Sequence, residues 1–149
     1  MKRANAAGIP LHASAAKALA SRQRFAGSLP VAQLPRLGAL LADRDGSLEV
    51  DLAAEKEPGG AAWLRGGIRG QLSLTCQRGL HPFTWALDLR TDLRLVTSEA
   101  EEERVLKDCD PYLVQEDRLP LRELVEEEVL LALPMMPRCD DPDCVERLK

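Results

Sequence analysis

Residues 63 to 95 alternate apolar and polar side chains in two successive runs, and no other feature restricts the fold of this chain as strongly. In "WLRGGIRGQLSLTC", Ile68, Leu72, Leu74 and Cys76 share one face of an extended strand, while Arg69, Gln71, Ser73 and Thr75 share the other. After "QRGLHP" the pattern resumes, with Phe83, Trp85, Leu87, Leu89, Leu93 and Leu95 set against Thr84, Asp88, Arg90 and Asp92. Successive side chains of a strand point to opposite faces, so a period of two with one apolar face predicts a half-buried strand. Two such runs joined by a short polar connection predict an antiparallel hairpin. Glycines 66, 67 and 70 predict a bulge or a strong twist in its first strand.

The flanking segments supply the rest of an α+β fold. "SLEVDLAA" at 47–54 places Leu48, Val50 and Leu52 opposite Glu49 and Asp51, a third half-buried strand. Helix formers dominate 12–24, Gly27 and Pro30 punctuate the chain, and 31–42 has helical spacing interrupted by Pro35 and Gly38. Residues 98–111 are acidic and irregular, and "YLVQ" at 112–115 reads as a short edge strand. Pro120 then opens a helix that Pro134 stops. In it Leu121, Leu124, Val125, Val129, Leu130 and Ala132 form a stripe that packs on the sheet, with Glu126 to Glu128 as its polar side. The expected architecture is an antiparallel sheet built on a long hairpin, with short N-terminal helices and a C-terminal helix on the sheet. Its divisions within a single domain, 1–149, are a basic helical segment at 1–46, the hairpin sheet at 47–97, an acidic loop at 98–119, and a helix with a cysteine-bearing tail at 120–149.

Composition narrows the function. Aromatic residues make up only 3%, so Leu, Val and Ala must fill the core. No apolar run approaches the roughly 20 residues of a membrane span, and the N-terminal stretch lacks the continuous apolar region of a secretory signal. That stretch is basic and acid-free, as a transit peptide also is. Residues 1–94 carry 13 Lys and Arg against 8 Asp and Glu, while residues 95–149 carry 7 against 16. A basic lobe joined to an acidic one can present a polyanion-binding surface on a protein of net charge −4, or the two lobes can simply neutralise each other in the fold.

Four cysteines carry the chemistry: Cys76, Cys109, Cys139 and Cys144. Without a secretory signal, reduced thiols or a metal site are expected rather than two disulfides. Cys76 closes a strand at the hairpin tip, and Cys139 and Cys144 flank a turn containing Pro142. Thiolates from two tight turns suit a tetrahedral zinc ion. Gly79 stands where a C-x-x-C would place its second thiol. His81 is the nearest substitute, with Cys109 or an Asp from 140–143 as alternatives, so the candidate set is Cys76, His81, Cys139 and Cys144. The competing reading makes Cys76 a small buried hydrophobe and the tail thiols incidental. No nucleophile elbow, phosphate loop, dinucleotide fingerprint or zinc-protease motif occurs. For nucleic acid, Arg65, Arg69, Arg78 and Arg90 line the outer face or tip of the hairpin, where phosphate contact needs such donors and little else.

Two stretches together resemble the YceD family, the large-ribosomal-RNA accumulation proteins. "LTCQRGLHPF" is similar to that family's L-x-C-x-R-C-x-x-P-F hairpin segment, with Gly79 in place of the second cysteine. "LRELVEEEVLLALPMMPRCDDPDC" is similar to its second signature, an acidic helix running into L-A-L-P-x-x-P and then a Cys or His followed by Cys. The resemblance spans roughly residues 24–145. It implies a cytoplasmic, non-catalytic role in making, processing or accumulating 23S ribosomal RNA. The implied partner is precursor RNA or an assembling particle, with no membrane and no small-molecule substrate. A rival reading is a protein-interaction adaptor, whose acidic 99–128 region contacts a basic ribosomal protein or assembly factor.

Overall fold

The two alternating runs form the central strands of the sheet. A computed structural model describes residues 9–139. In chain order the elements are β1 (Ala13–Ser14), α1 (Ala15–Ser21), β2 (Arg24–Pro30), a 3₁₀ turn (Val31–Gln33), α2 (Pro35–Leu40), β3 (Ser47–Lys56), β4 (Ala62–Thr75), β5 (Pro82–Val96), α3 (Glu99–Val105), β6 (Asp110–Leu113), β7 (Arg118–Leu119) and α4 (Leu121–Ala132). The five-stranded sheet runs β2-β3-β4-β5-β6, antiparallel except for the last pair, where β6 lies parallel to β5. β1 and β7 pair separately.

Register follows the hydrophobic pattern. Ile68 faces Leu89, Leu72 faces Trp85 and Leu74 faces Phe83 across the hairpin. Leu48, Leu52, Leu64, Ile68 and Leu72 are fully buried, in one cluster with Ala15 and Ala18 of α1, Leu37 of α2, and Leu121, Val125 and Val129 of α4. Burying each Leu or Ile side chain contributes about 1.5–3 kcal/mol, so α4 is held to this cluster by the stripe expected of it, and α1 and α2 by their own buried residues. At Gly66 the neighbouring strand passes so close that a methyl group would stand 1.8 Å from the Asp51 carbonyl oxygen.

Several segments differ from expectation. The helix expected over 12–24 is limited to α1, which ends where Arg22 turns left-handed at φ 51°. Residues 24–30, expected as punctuation, form strand β2 with Phe25 and Leu29 buried. Pro30 is tolerated there because it ends an edge strand. The 98–119 stretch, expected as a loop, holds α3, β6 and β7. Ser98 caps α3 by accepting the Glu101 N–H, and Glu99, Glu101 and Glu102 occupy its first turn, where the helix dipole favours negative charge. The edge strand lies at 110–113.

Of the three consecutive glutamates of α4, only Glu127 is on the solvated side expected for all three. Glu126 is buried and accepts the Leu37 backbone N–H, Glu127 pairs with Arg36 at 3.1 Å, and Glu128 accepts the hydroxyl of buried Thr91.

Candidate metal centre and arginine face

The hairpin tip and the segment after α4 meet through sulfur. Cys76 closes the hairpin by donating its N–H to the His81 carbonyl at 2.9 Å. Within the tip, the Leu80 N–H reaches the Cys76 carbonyl at 2.7 Å, and Leu80 adopts a left-handed φ of 55°. Pro137 docks on this turn by accepting the Gln77 N–H, and the Arg78 guanidinium donates to the Cys139 carbonyl at 3.1 Å. Cys76, Cys139 and the ring of Phe83 form a small apolar cluster apart from the main core.

Cys76 Sγ is fully buried, yet it accepts backbone N–H groups, among them those of Cys139 at 3.4 Å and Gly79 at 3.5 Å. These donors favour the thiolate and lower the thiol from 9.0 to about 6. The ligand atoms of Cys76, His81 and Cys139 lie within 4.8 Å of one another. Two donors on a tetrahedral zinc ion, one sulfur and one nitrogen, stand about 3.6 Å apart. Cys139 Sγ and His81 Nε2 are 3.7 Å apart. Three of the four expected ligands are therefore close enough to hold a metal. The fourth, Cys144, lies outside the described residues, as do Asp140, Asp141 and Asp143. Cys109 is not in the group: its thiol donates to the Val105 carbonyl at the end of α3.

The expected arginines divide between two places. Arg65, Arg69 and Arg90 share the sheet face opposite the helices, around a shallow groove of about 580 Å³ floored by Gly67, Ala26 and Ala53. Arg78 stands apart, at the tip. Arg65 is already engaged by Glu55, Glu57 and Asp92 at 3.2–3.5 Å, and its guanidinium lies 4.0 Å above the Trp63 ring. Arg24, which the expected set lacks, joins the same groove through a bidentate pair with Asp51. Among the described residues, Arg69 and Arg90 have no ion pair. The alternation placed these arginines on one face, but their pairing acids lie on neighbouring strands and turns, and only the register of the sheet brings them together.

Residues 64–148, more than half of the chain, match the family described as large ribosomal RNA subunit accumulation protein YceD. The chain belongs to the YceD family. The matched span starts at Leu64 in β4, later than the resemblance from residue 24 implied, and covers the whole sulfur site. YceD proteins are described by ribosomal RNA accumulation and not by a catalysed reaction. No solved structure matches this YceD chain. Among its described residues, no helix is long and apolar enough to cross a membrane.

Proposed function

We propose that this YceD-family chain is a non-catalytic cytoplasmic factor that promotes accumulation of 23S ribosomal RNA by binding its precursor or the assembling large-subunit particle. The supporting observation is that the family match, over residues 64–148, takes in both the arginine-bearing hairpin and the sulfur site at its tip. Arg69 and Arg90, uncommitted among the described residues, and Arg78 at the tip supply the phosphate contacts. Arg65 contributes less, because three carboxylates already meet its charge. The same reading puts a zinc ion on Cys76, His81 and Cys139, with Cys144 completing the set. Its part is structural: it ties the tip to the tail so that Arg78 is presented in one orientation.

Cross-linking the protein in cells and sequencing the attached RNA tests this. Large-subunit precursor sequence should dominate, and binding in vitro should weaken steeply with salt. Adducts to protein alone, or salt-insensitive RNA binding, would overturn the reading in favour of an adaptor acting through the acidic 99–128 region.

A further inference from the structure

The open face of the sheet has a gap at Gly67. Alternation along β4 sends residues 65, 67 and 69 to that face, and the register sets Gly67 between Asp51 of β3 and Arg90 of β5. Its neighbours along the strand are Arg65 and Arg69. The absent side chain, with Ala26 and Ala53 beside it, leaves backbone as the floor of the groove of about 580 Å³. Clefts of about 300–1,000 Å³ take small ligands or single ligand groups.

The fold does not require glycine at this position. At Gly66 a side chain has no room against the Asp51 carbonyl, and at Gly70 a methyl group would stand 2.8 Å from the Ser47 carbonyl oxygen. At Gly67 the same methyl group would meet nothing closer than the Leu89 carbonyl oxygen, at an ordinary 3.5 Å. The backbone there is not left-handed, and the pairing on both sides runs through it without a bulge. Glycine weakens a strand interior, where a β-branched residue fits better. With bulge and backbone strain set aside, a strand glycine marks the close approach of a ligand or another backbone.

The groove wall identifies the ligand. Four arginines, Arg24, Arg65, Arg69 and Arg90, meet three carboxylates, Glu49, Asp51 and Asp88. The excess of positive charge is small, so phosphate attraction alone holds a polyanion weakly. The same wall offers groups suited to a base. Arg65 is fixed with its guanidinium 4.0 Å above the Trp63 ring, and guanidinium planes stack on unpaired bases. Glu49 and Asp88 both stand opposite Arg69 in register, yet among the described residues neither has an ion pair. Carboxylates of this kind accept from the exocyclic amino groups of bases.

We infer that the groove at Gly67 receives one unpaired base of a single-stranded RNA. The base lies on the bare backbone against Arg65, with its edge toward Glu49 and Asp88, while Arg69 and Arg90 hold the flanking phosphates. The inference deepens the RNA binding proposed above and rests on it. A duplex keeps its bases stacked and their pairing edges occupied, so the groove selects unpaired segments.

Fluorescence anisotropy with the full-length chain at low salt tests this. The probes are a labelled single-stranded RNA of mixed sequence, the same strand in a duplex, and an abasic strand of equal length. Stacking of one base is worth about 5- to 150-fold in affinity. The wild type should favour the intact single strand over the other two by a factor in that range. Gly67→Val, which fills the gap without changing charge, should lose the same factor while melting no lower than wild type, and Gly67→Ala should lose less. The abasic comparison uses the wild type alone, so it decides the matter whatever the stability of the variants. Equal affinity for intact and abasic strands, equal affinity for single strand and duplex, or a folded Gly67→Val protein that binds like wild type would overturn the inference and leave phosphate-mediated RNA binding standing. A wild type that binds none of the three RNAs would overturn both proposals.

Discussion

The Glu126 carboxylate accepts the Leu37 backbone N–H at 2.9 Å, joining the last helix to the start of α2 across 89 positions of sequence. Helix α2 has no side-chain cap of its own, because Leu34 occupies its N-cap. Glu126 therefore satisfies one of the donors that every helix start leaves open, while Arg36 flanks it at 3.3 Å. Removing a buried partner of this kind costs about 2–3 kcal/mol. Glu126→Ala should lower Tm by roughly 5–10 °C in a chain of this size. Glu127→Ala, which removes only an exposed pair, should shift it by little. Calorimetry of the two variants checks the contrast.

Asp117 gives a pH dependence with a definite sign. Its carboxylate accepts the Ser14 hydroxyl and the Ala16 N–H at the start of α1. These bonds, the hydroxyl's first, hold it below the usual carboxylate range. A group depressed in the folded state stabilises fully above its unfolded value of about 3.9, and that stability disappears as pH falls through the lower folded value. Asp117→Asn should therefore be less stable than wild type near neutrality, and the gap should close in acid. Urea midpoints measured across pH decide it; a gap independent of pH would contradict this account.

On the open sheet face, RNA binding should respond to which arginines are already paired. Each phosphate contact contributes about 0.7 to the slope of log affinity against log salt for single strands and about 0.9 for duplex. Arg69→Ser and Arg90→Ser should each reduce the slope by roughly one such contact. Arg24→Ser should leave it nearly unchanged, because Asp51 already holds that guanidinium. Fluorescence anisotropy at several salt concentrations measures all three.

Metal removal should loosen the tail before it affects the sheet. The 134–139 segment is held to the tip by the Gln77–Pro137 and Arg78–Cys139 hydrogen bonds and by the sulfur site. The hairpin and α4 bury their own apolar faces in the main core. A local loosening of about 1.4 kcal/mol raises the open population, and with it the cleavage rate, about tenfold. Chelator treatment should therefore speed trypsin cleavage after Arg138 while far-ultraviolet circular dichroism stays constant. Cys139→Ser should mimic the chelator.

The elements legible in the sequence are those whose period speaks for itself. β3, β4, β5 and α4 each carry several apolar residues at one spacing, so local pattern and burial agree. β2 offered only Phe25 and Leu29 around Gly27, and its strand character comes from pairing with β3, which no local window contains. Helix α3 was hidden because its acids resemble a solvated run; Ser98 at the N-cap with Glu101 three residues on was the available signal. Cys76, His81 and Cys139, which the fold brings within 4.8 Å of one another, were legible as residue types at turn positions. Nothing local separated Glu126 from its two neighbours, because its partner is Leu37, fixed only when two helices meet.

The likeness to YceD proteins starts at Leu64, just inside the third of five strands. A chain cut to that boundary would keep the hairpin, the sulfur site and the last helix. It would also strip β2 and β3 from the sheet, baring the backbone rim of the 14-residue β4 and uncovering the flank of Leu64, Ile68 and Leu72. Such a long, unprotected margin invites edge-to-edge self-association. β2 and β3, which precede the matched span, thus shelter a margin that the matched residues alone would leave bare.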